Sequence, residues 1–370
     1  MLFSPEARLA LQAALCDTSS AHNAFAQWQA RVDLDHLPAG HYPLLPLISN
    51  NLESHGIDHP WSPRLRGIHR KTWYANQLTL HAAADIVQEL QNNGVQPVAV
   101  GALALAPTVY PDLGLRPMQP LEIFVPASTA APAIQAMLAL GWRPEPAAPH
   151  LLSPEFRAWV PGQRFINPQR QAIWLSWHVM PAVPCTELDA TCLAAARPLA
   201  IETTSMTTLC PTDHLLRACL TDGAGALIAL ADATFLLRHS TIDWQRLMAT
   251  ASTYDLVLPV RSMLEVLVQE EGATVPAAVL TKLRDAPASA VAVRRHRIAG
   301  VAPTARTLAD RAWWLWLHYR RALACRGGRP GLRTLTAFAA HNQRLASRWE
   351  LPAVLLRRVA GRPTVTHGAQ

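Results

Sequence analysis

The hydrophobic pattern predicts an amphipathic helix over residues 70–93. Its apolar positions recur at helical spacing and are Leu80, Ala83, Ala84, Val87 and Leu90. Asn93-Gly94 is a typical helix stop. A short apolar run at 98–100 then predicts a strand, and 102–110 suit a helix that Pro107 kinks or ends. A second apolar run at 121–125 completes a strand–helix–strand unit.

Helices and strands alternate on both sides of this unit. Ser4 and Pro5 form a helix start that predicts a helix to Leu15. Further predicted strands cover 156–160 and 171–178, and 199–209 suggest a hairpin. From Pro211 onward the pattern is mainly helical. The fold class predicted is α+β, with a small mixed β-sheet flanked by helices and followed by a mainly helical C-terminal half.

The same pattern divides the chain into four segments. Residues 1–94 form an N-terminal helical segment, and residues 95–210 form an α/β core. Residues 211–290 form a helical domain, and residues 291–370 form a basic helical tail rich in tryptophan and arginine. A chain of 370 residues is long enough for such a division.

The loop before the second strand carries a specific string, Tyr-Pro-Asp-x-Gly-x-Arg-Pro-Met, at residues 110–118. Together with Gly101, this string resembles the bacterial uncharacterised nucleotidyltransferases, from the N-terminus to about residue 283. Members of that family carry Lys-Gly after the first strand and Asp-x-Asp on the second. The resemblance implies the nucleotidyltransferase fold, a nucleotide ligand and Mg²⁺ as cofactor.

Several polar positions of the family's site differ here. The two Asp-x-Asp positions are Pro120 and Glu122, and the family's lysine is replaced by Val100. The third carboxylate, expected on a later strand, is replaced by Trp174. Nucleotidyl transfer needs carboxylates that hold Mg²⁺ against the triphosphate, and neither proline nor tryptophan has a side-chain oxygen. The resemblance therefore implies a degraded metal site, with Glu122 as the catalytic and metal-binding candidate.

Three further residues are candidates for nucleotide binding, namely Gly101, Asp112 and Arg116. Each also has a structural alternative. Gly101 suits a tight turn after a strand, and Arg116 suits an ion pair with Asp112 or a helix cap. Glu122, in turn, is compatible with a solvent-facing strand position.

Four other polar residues are expected to be structural. His36 and His41 are predicted to be ordinary surface groups. His214 is expected in the first turn of a helix, and Asp232 on a helix surface. All four are interpreted as having no role in the site.

The tail differs electrostatically from the rest of the chain. Residues 291–370 contain 15 arginines, no lysine and two acids, a net charge of +13. Residues 1–290 therefore carry a net charge of −6, because the whole chain carries +7. One helical stripe is expected to be buried and consists of Leu308, Ala312, Leu315, Trp316, Tyr319 and Leu323.

Residues off that stripe are candidates for partner binding, namely Arg311, Trp314, Leu317 and Arg321. Arginine suits phosphate, and tryptophan suits an interface. A peripheral membrane surface, nucleic acid and an acidic protein are the partners this pattern favours. The alternative is a tail that packs on the helical domain and keeps its arginines solvated.

These features support three hypotheses. The first is a catalytically impaired nucleotidyltransferase that binds a nucleotide or a protein partner. The second is an active Mg²⁺-dependent enzyme whose relocated metal site uses Glu122 and Asp112. The third is an adaptor that binds an anionic surface through its tail. We expect a cytoplasmic protein, since the N-terminus shows no secretory signal and no run of about 18 apolar residues predicts a membrane span.

Overall fold

The computed structural model describes residues 3–38, 40–271, 273–301, 305–325, 328–343, 345 and 347–353. Four helices precede the sheet: α1 (Pro5–Leu15), α2 (Thr18–Gln29), α3 (Leu45–Ser54) and α4 (Ser62–Asn92). The predicted cap of α1 is confirmed, because the Ser4 side chain accepts a hydrogen bond from the Ala7 N–H. The helix predicted for residues 70–93 is also confirmed, and it begins earlier.

The described residues form a mixed seven-stranded sheet. Its strands are β1 (Val98–Ala99), β2 (Leu121–Phe124), β3 (Arg143–Pro144), β4 (Gly162–Ile166), β5 (Ala172–Ser176), β6 (Arg197–Ile201) and β7 (Thr204–Thr208). They lie in the order β3-β4-β5-β2-β1-β7-β6. The pairs β2–β5 and β1–β7 are parallel, and the other neighbours are antiparallel.

Four helices are interleaved with the strands, and the remaining described helices follow them. The interleaved helices are α5 (Ala102–Thr108), α6 (Ala130–Ala139), α7 (Pro154–Arg157) and α8 (Thr186–Ala194). After the last strand come α9 (Pro211–Cys219), α10 (Ala226–His239), α11 (Trp244–Thr253) and α12 (Val257–Glu271). The chain continues with α13 (Ala277–Asp285), α14 (Ala290–Ala299), α15 (Leu308–Cys325) and α16 (Leu332–Asn342). The predicted α+β class, with a helical C-terminal half, is confirmed.

Alternation along the strands separates two hydrophobic cores, because successive side chains point to opposite faces. Ala99, Ile123 and Leu175 lie in the core shared with α4 and α6. Val98 and Phe124 lie in the other core, together with residues of α1, α9, α10 and α12. We call this second face the helical face of the sheet, and Glu122 and Trp174 lie on it by the same alternation.

Two of the sequence expectations for residues 1–160 are wrong. Residues 156–160 are not a strand, because Ser153 caps the short helix α7 by accepting from the Phe156 N–H. The strand in this region is β4, which pairs with β5. His41 is not a surface group; it is 4% exposed and packs against Trp28, with ring centroids 6.1 Å apart.

The last helices pack on the α/β core through a small aromatic cluster. Trp159 stacks on Tyr319 of α15, with centroids 6.2 Å apart, and meets Phe338 of α16 at 5.6 Å. Arg321 of α15 also donates to the carbonyl oxygen of Ala182 at 2.7 Å. Among the described residues, no helix is both long and apolar enough to cross a membrane. Two arginines near the end of the basic tail, Arg357 and Arg358, lie outside the described residues.

Candidate active site

Glu122 occupies the centre of the helical face. Its strand, β2, runs parallel to β5, and Glu122 lies directly opposite Trp174 in the register of that pair. The structure therefore places the two positions next to each other, as the resemblance implies for the metal carboxylates. The Glu122 side chain is 23% exposed, so it is partly accessible to solvent.

Gly101 lies directly beneath the Glu122 carboxylate. It has a φ of +58°, which favours glycine, and a Cβ at this position would lie 2.8 Å from Glu122 Oε1. A side chain at 101 would therefore displace the carboxylate. The glycine provides both the turn into α5 and the space for Glu122, so the turn alternative describes part of its role.

The carboxylate of Glu122 is held by Arg217, a residue of α9 that the sequence analysis missed. Arg217 Nη2 donates to Glu122 Oε2 in a short ion pair, and Arg217 Nε donates to the carbonyl oxygen of Val179 at 3.3 Å. The available signal was a single charge in the apolar run from Leu215 to Leu220. A lone arginine in such a run indicates a buried partner.

The remaining metal positions contribute no oxygen ligands. Pro120 precedes β2, and the indole of Trp174 lies against the backbone of β4, where a Cβ on Gly162 would be 2.9 Å from its Nε1. Within the described part of the chain, no group of three or more His, Cys, Asp or Glu side chains is arranged to hold a metal ion. A Mg²⁺ ion prefers several oxygen ligands. One carboxylate already paired with a guanidinium does not fit that requirement.

Arg116 is buried inside the protein and pairs with Asp232 of α10. Its Nε and Nη2 donate to the two Asp232 oxygens at 2.8 and 2.9 Å, and Tyr110 Oη donates to the same carboxylate at 2.7 Å. The expectation that Asp232 lies on a helix surface is wrong, because this face of α10 packs on the loop after α5. We call Tyr110, Arg116 and Asp232 the buried triad.

The pKa values of Arg116 and Tyr110 in the buried triad are both raised. Burial acts to lower the pKa of Arg116, but the Asp232 charge and its hydrogen bonds outweigh burial, so this pKa is raised. Burial, followed by the Asp232 charge, raises the pKa of Tyr110 well above its ordinary value. Arg116 is therefore a cation, held by an internal carboxylate beside a neutral phenol.

Asp112 is also engaged by neighbouring groups. Its Oδ1 lies 2.8 Å from His69 Nε2 and accepts from the Gly114 N–H at 2.6 Å. Asn76 of α4 fastens the same loop by donating to the Arg116 carbonyl oxygen at 2.8 Å and accepting from the Met118 N–H at 3.0 Å. The string at residues 110–118 thus forms a braced loop between α5 and β2. Nucleotide binding by Gly101, Asp112 and Arg116 stays a prediction.

Two histidines lie near Arg217. His178 Nδ1 is 2.7 Å from Asp189 Oδ2, and both side chains are buried. His214 lies in the first turn of α9, as expected from the sequence, and is 5% exposed; its Nε2 lies 3.0 Å from Thr208 Oγ1. Thr208 Oγ1 uses its one proton to donate to the Ala99 carbonyl oxygen at 3.0 Å. It therefore accepts in its contact with His214, and His214 Nε2 carries the proton that is donated.

His214 makes folding sensitive to acid. Burial, and secondarily the Arg217 charge, lowers the pKa of His214 from 6.5 to about 3. Between pH 6.5 and about 3 the unfolded chain binds a proton at His214 that the folded chain does not bind. The contribution of neutral His214 to the free energy of unfolding is therefore complete above pH 6.5 and is lost as the pH falls. We expect His214→Gln to reduce the loss of unfolding free energy between pH 7.5 and 5.0 by about 1–2 kcal/mol, as measured by urea titration. An unchanged loss in the variant would contradict this assignment.

The four partner-binding candidates of the tail do not form one exposed surface. Leu317 is 5% exposed, so its side chain is not available to a partner. Arg321 is bound to Ala182, and Trp314 is partly buried, with Arg306 4.7 Å from its ring centroid. Arg311 is exposed, and its Nε donates to the Arg306 carbonyl oxygen at 3.1 Å. The helix is rotated relative to the prediction, because Tyr319 docks on Trp159 and turns Trp316 outward.

The mixed seven-stranded sheet and its flanking helices define an α+β protein. Residues 39–270 match the family described as "Uncharacterised nucleotidyltransferase". Since this match covers more than half of the chain, the protein belongs to that family. The comparisons with curated proteins and with solved structures gave no match.

Proposed function

We propose that this protein is a catalytically impaired nucleotidyltransferase that binds a nucleoside triphosphate without transferring its nucleotidyl group. The observation that carries the proposal is the ion pair between Arg217 and Glu122 on the helical face. The Arg217 guanidinium binds the Glu122 carboxylate, which in an active member would face a metal ion. Transfer needs that metal to neutralise charge on the phosphates.

The same arginine supplies a way to bind phosphate without a metal. A guanidinium has five N–H donors in a planar fork, which matches phosphate oxygens. Two of these donors are used by Glu122 and the Val179 carbonyl oxygen. Trp174 lies opposite Glu122 in the register of β2 and β5, and its partly exposed indole, which extends towards β4, offers an aromatic surface for a base. These groups support binding of a nucleotide, with a protein partner as the alternative occupant.

Purified full-length protein should bind ATP by isothermal titration whether Mg²⁺ or EDTA is present, and should transfer no labelled nucleotide. Glu122→Gln should strengthen ATP binding, because it releases the guanidinium from its carboxylate. Arg217→Met should weaken binding by at least about tenfold, since hydrogen bonds to charged groups contribute about 1.5–3 kcal/mol. Arg284→Met is the matched control, because Arg284 of α13 pairs with Glu265 of α12 and neither residue belongs to the sheet.

The second hypothesis, an active enzyme with a relocated metal site, predicts that nucleotide is transferred and that Glu122→Gln is harmful. Mg²⁺-dependent transfer that is lost in Glu122→Gln would establish it and overturn our proposal. The absence of ATP binding under both conditions would leave a protein partner as the occupant of the face. Thermal unfolding of each variant shows whether a loss of binding reflects a loss of fold.

A further inference from the structure

A largely apolar face of α15 is exposed to solvent. Its exposed residues are Leu308, Ala309, Ala312, Trp316, Arg320 and Ala324. Five of these recur at every fourth position, which places them along one side of the helix. We call this set the Trp316 face. Leu308 is 83% exposed and Trp316 is 45% exposed.

Exposed apolar residues are concentrated in this part of the protein. Of the eleven large apolar side chains that are exposed in the described chain, six lie at or after residue 291. They are Val291, Val293, Leu308, Trp316, Leu332 and Trp349. Singly exposed apolar residues need no explanation, whereas Leu308 and Trp316 lie on one side of the same helix.

Arginines stack on two tryptophan rings of α15, one in the Trp316 face and one beside it. The Arg320 guanidinium lies 5.4 Å from the Trp316 ring centroid, and Arg294 of α14 lies 4.8 Å from that of Trp313. The sequence from residue 291 to 349 contains one acid, Asp310. Asp310 is paired with Arg297 at 3.1 Å, so the surroundings of the face are strongly positive.

We propose that the Trp316 face docks on the surface of an anionic lipid bilayer. A helix that lies in the membrane interface presents apolar residues and tryptophan to the acyl boundary, with basic residues at its edges. Leu308, Ala309 and Ala312 would lose contact with water, while Arg294 and Arg320 would reach the headgroups. This proposal is independent of nucleotide binding on the helical face of the sheet.

The composition of the face distinguishes a bilayer from nucleic acid. Nucleic-acid binding depends on cations that contact phosphates along the site. The Trp316 face carries one arginine, at Arg320, and its aliphatic side chains have no donor for a phosphate or a base edge. Burial of those side chains is favourable in an acyl boundary and contributes nothing on a polar strand.

The test is co-sedimentation of the full chain with phosphatidylcholine vesicles that contain or lack phosphatidylserine, at low and high salt. We expect binding to the anionic vesicles at low salt, weakened by salt because of screening. Arg320→Gln should lower the partition coefficient about fivefold, since one basic residue near an anionic surface contributes about 1 kcal/mol. Trp316→Ala should lower it at least as much, because it removes the main apolar contact.

Matched controls lie elsewhere on the chain. Trp73 of α4 is 44% exposed, so Trp73→Ala removes an equally exposed tryptophan, and Arg143→Gln removes an exposed arginine of β3. Neither should change vesicle binding. The proposal is overturned if anionic vesicles do not bind, or if both control variants weaken binding as much as those in the face. Binding to a labelled oligodeoxythymidine in place of vesicles, or a dimer that Trp316→Ala dissociates, would identify a different occupant and also overturn it.

Discussion

Replacing Asp232 with alanine is expected to lower the free energy of unfolding by about 3–5 kcal/mol, the usual cost of removing one partner of a buried ion pair. The substitution leaves the buried Arg116 cation without its carboxylate and Tyr110 without its acceptor. Urea unfolding followed by circular dichroism measures the difference. Glu53→Gln is the control, because its pair with Arg66 at 3.6 Å is exposed and should contribute less than about 1 kcal/mol.

A double variant separates charge from packing in the buried triad. Arg116→Met combined with Asp232→Leu removes both charges together, and paired removal of buried ions is often neutral. We expect this double variant to be more stable than Asp232→Ala. A loss of less than about 1 kcal/mol in Asp232→Ala would contradict the interpretation that this contact braces the fold.

Rebuilding the carboxylates is expected to create a metal site on the helical face. The variant Pro120→Asp/Trp174→Asp/Arg217→Met gives two new carboxylates at the positions of the family's ligands and frees Glu122 from its guanidinium. Two or three carboxylates in one place form a site for a hard divalent cation. We expect Mn²⁺ binding, measured by electron paramagnetic resonance, to tighten by at least about tenfold relative to the parent chain, or about 1.4 kcal/mol.

The same variant with Glu122→Gln added is the control. It keeps the new aspartates and removes the original carboxylate, so most of the gain should be lost. Circular dichroism establishes that each variant is folded. A folded triple variant that gains no affinity for Mn²⁺ would show that the backbone no longer holds these positions in the geometry that a metal requires.

The sequence predicted much of the sheet because its signals are local. Alternating apolar runs defined β2 and β5, and the retained string at residues 110–118 connected them to a family. The partners of that string were not predictable. Arg116 meets Asp232 across 116 positions of sequence, and nothing in the local pattern around either residue identifies the other.

The candidate site shows the same division. Glu122 and Trp174 could be placed side by side, because strand alternation and the family motif both constrain them. Arg217 could not, because its role depends on how α9 packs against the sheet. The rotation of α15 was also undetermined, since tryptophans and leucines occur around most of its circumference. Docking of Tyr319 on Trp159 selects one orientation, and that contact is visible only in three dimensions.

The buried triad has a consequence for how the protein opens. It joins the loop before β2 to α10, and the core on the helical face of the sheet is continuous with residues of α1 and α10. Separating the sheet from the helices would therefore break the Arg116–Asp232 ion pair and open this core in one step. Amide protons of β2 and of α10 should accordingly exchange with solvent through the same rare opening event, rather than region by region.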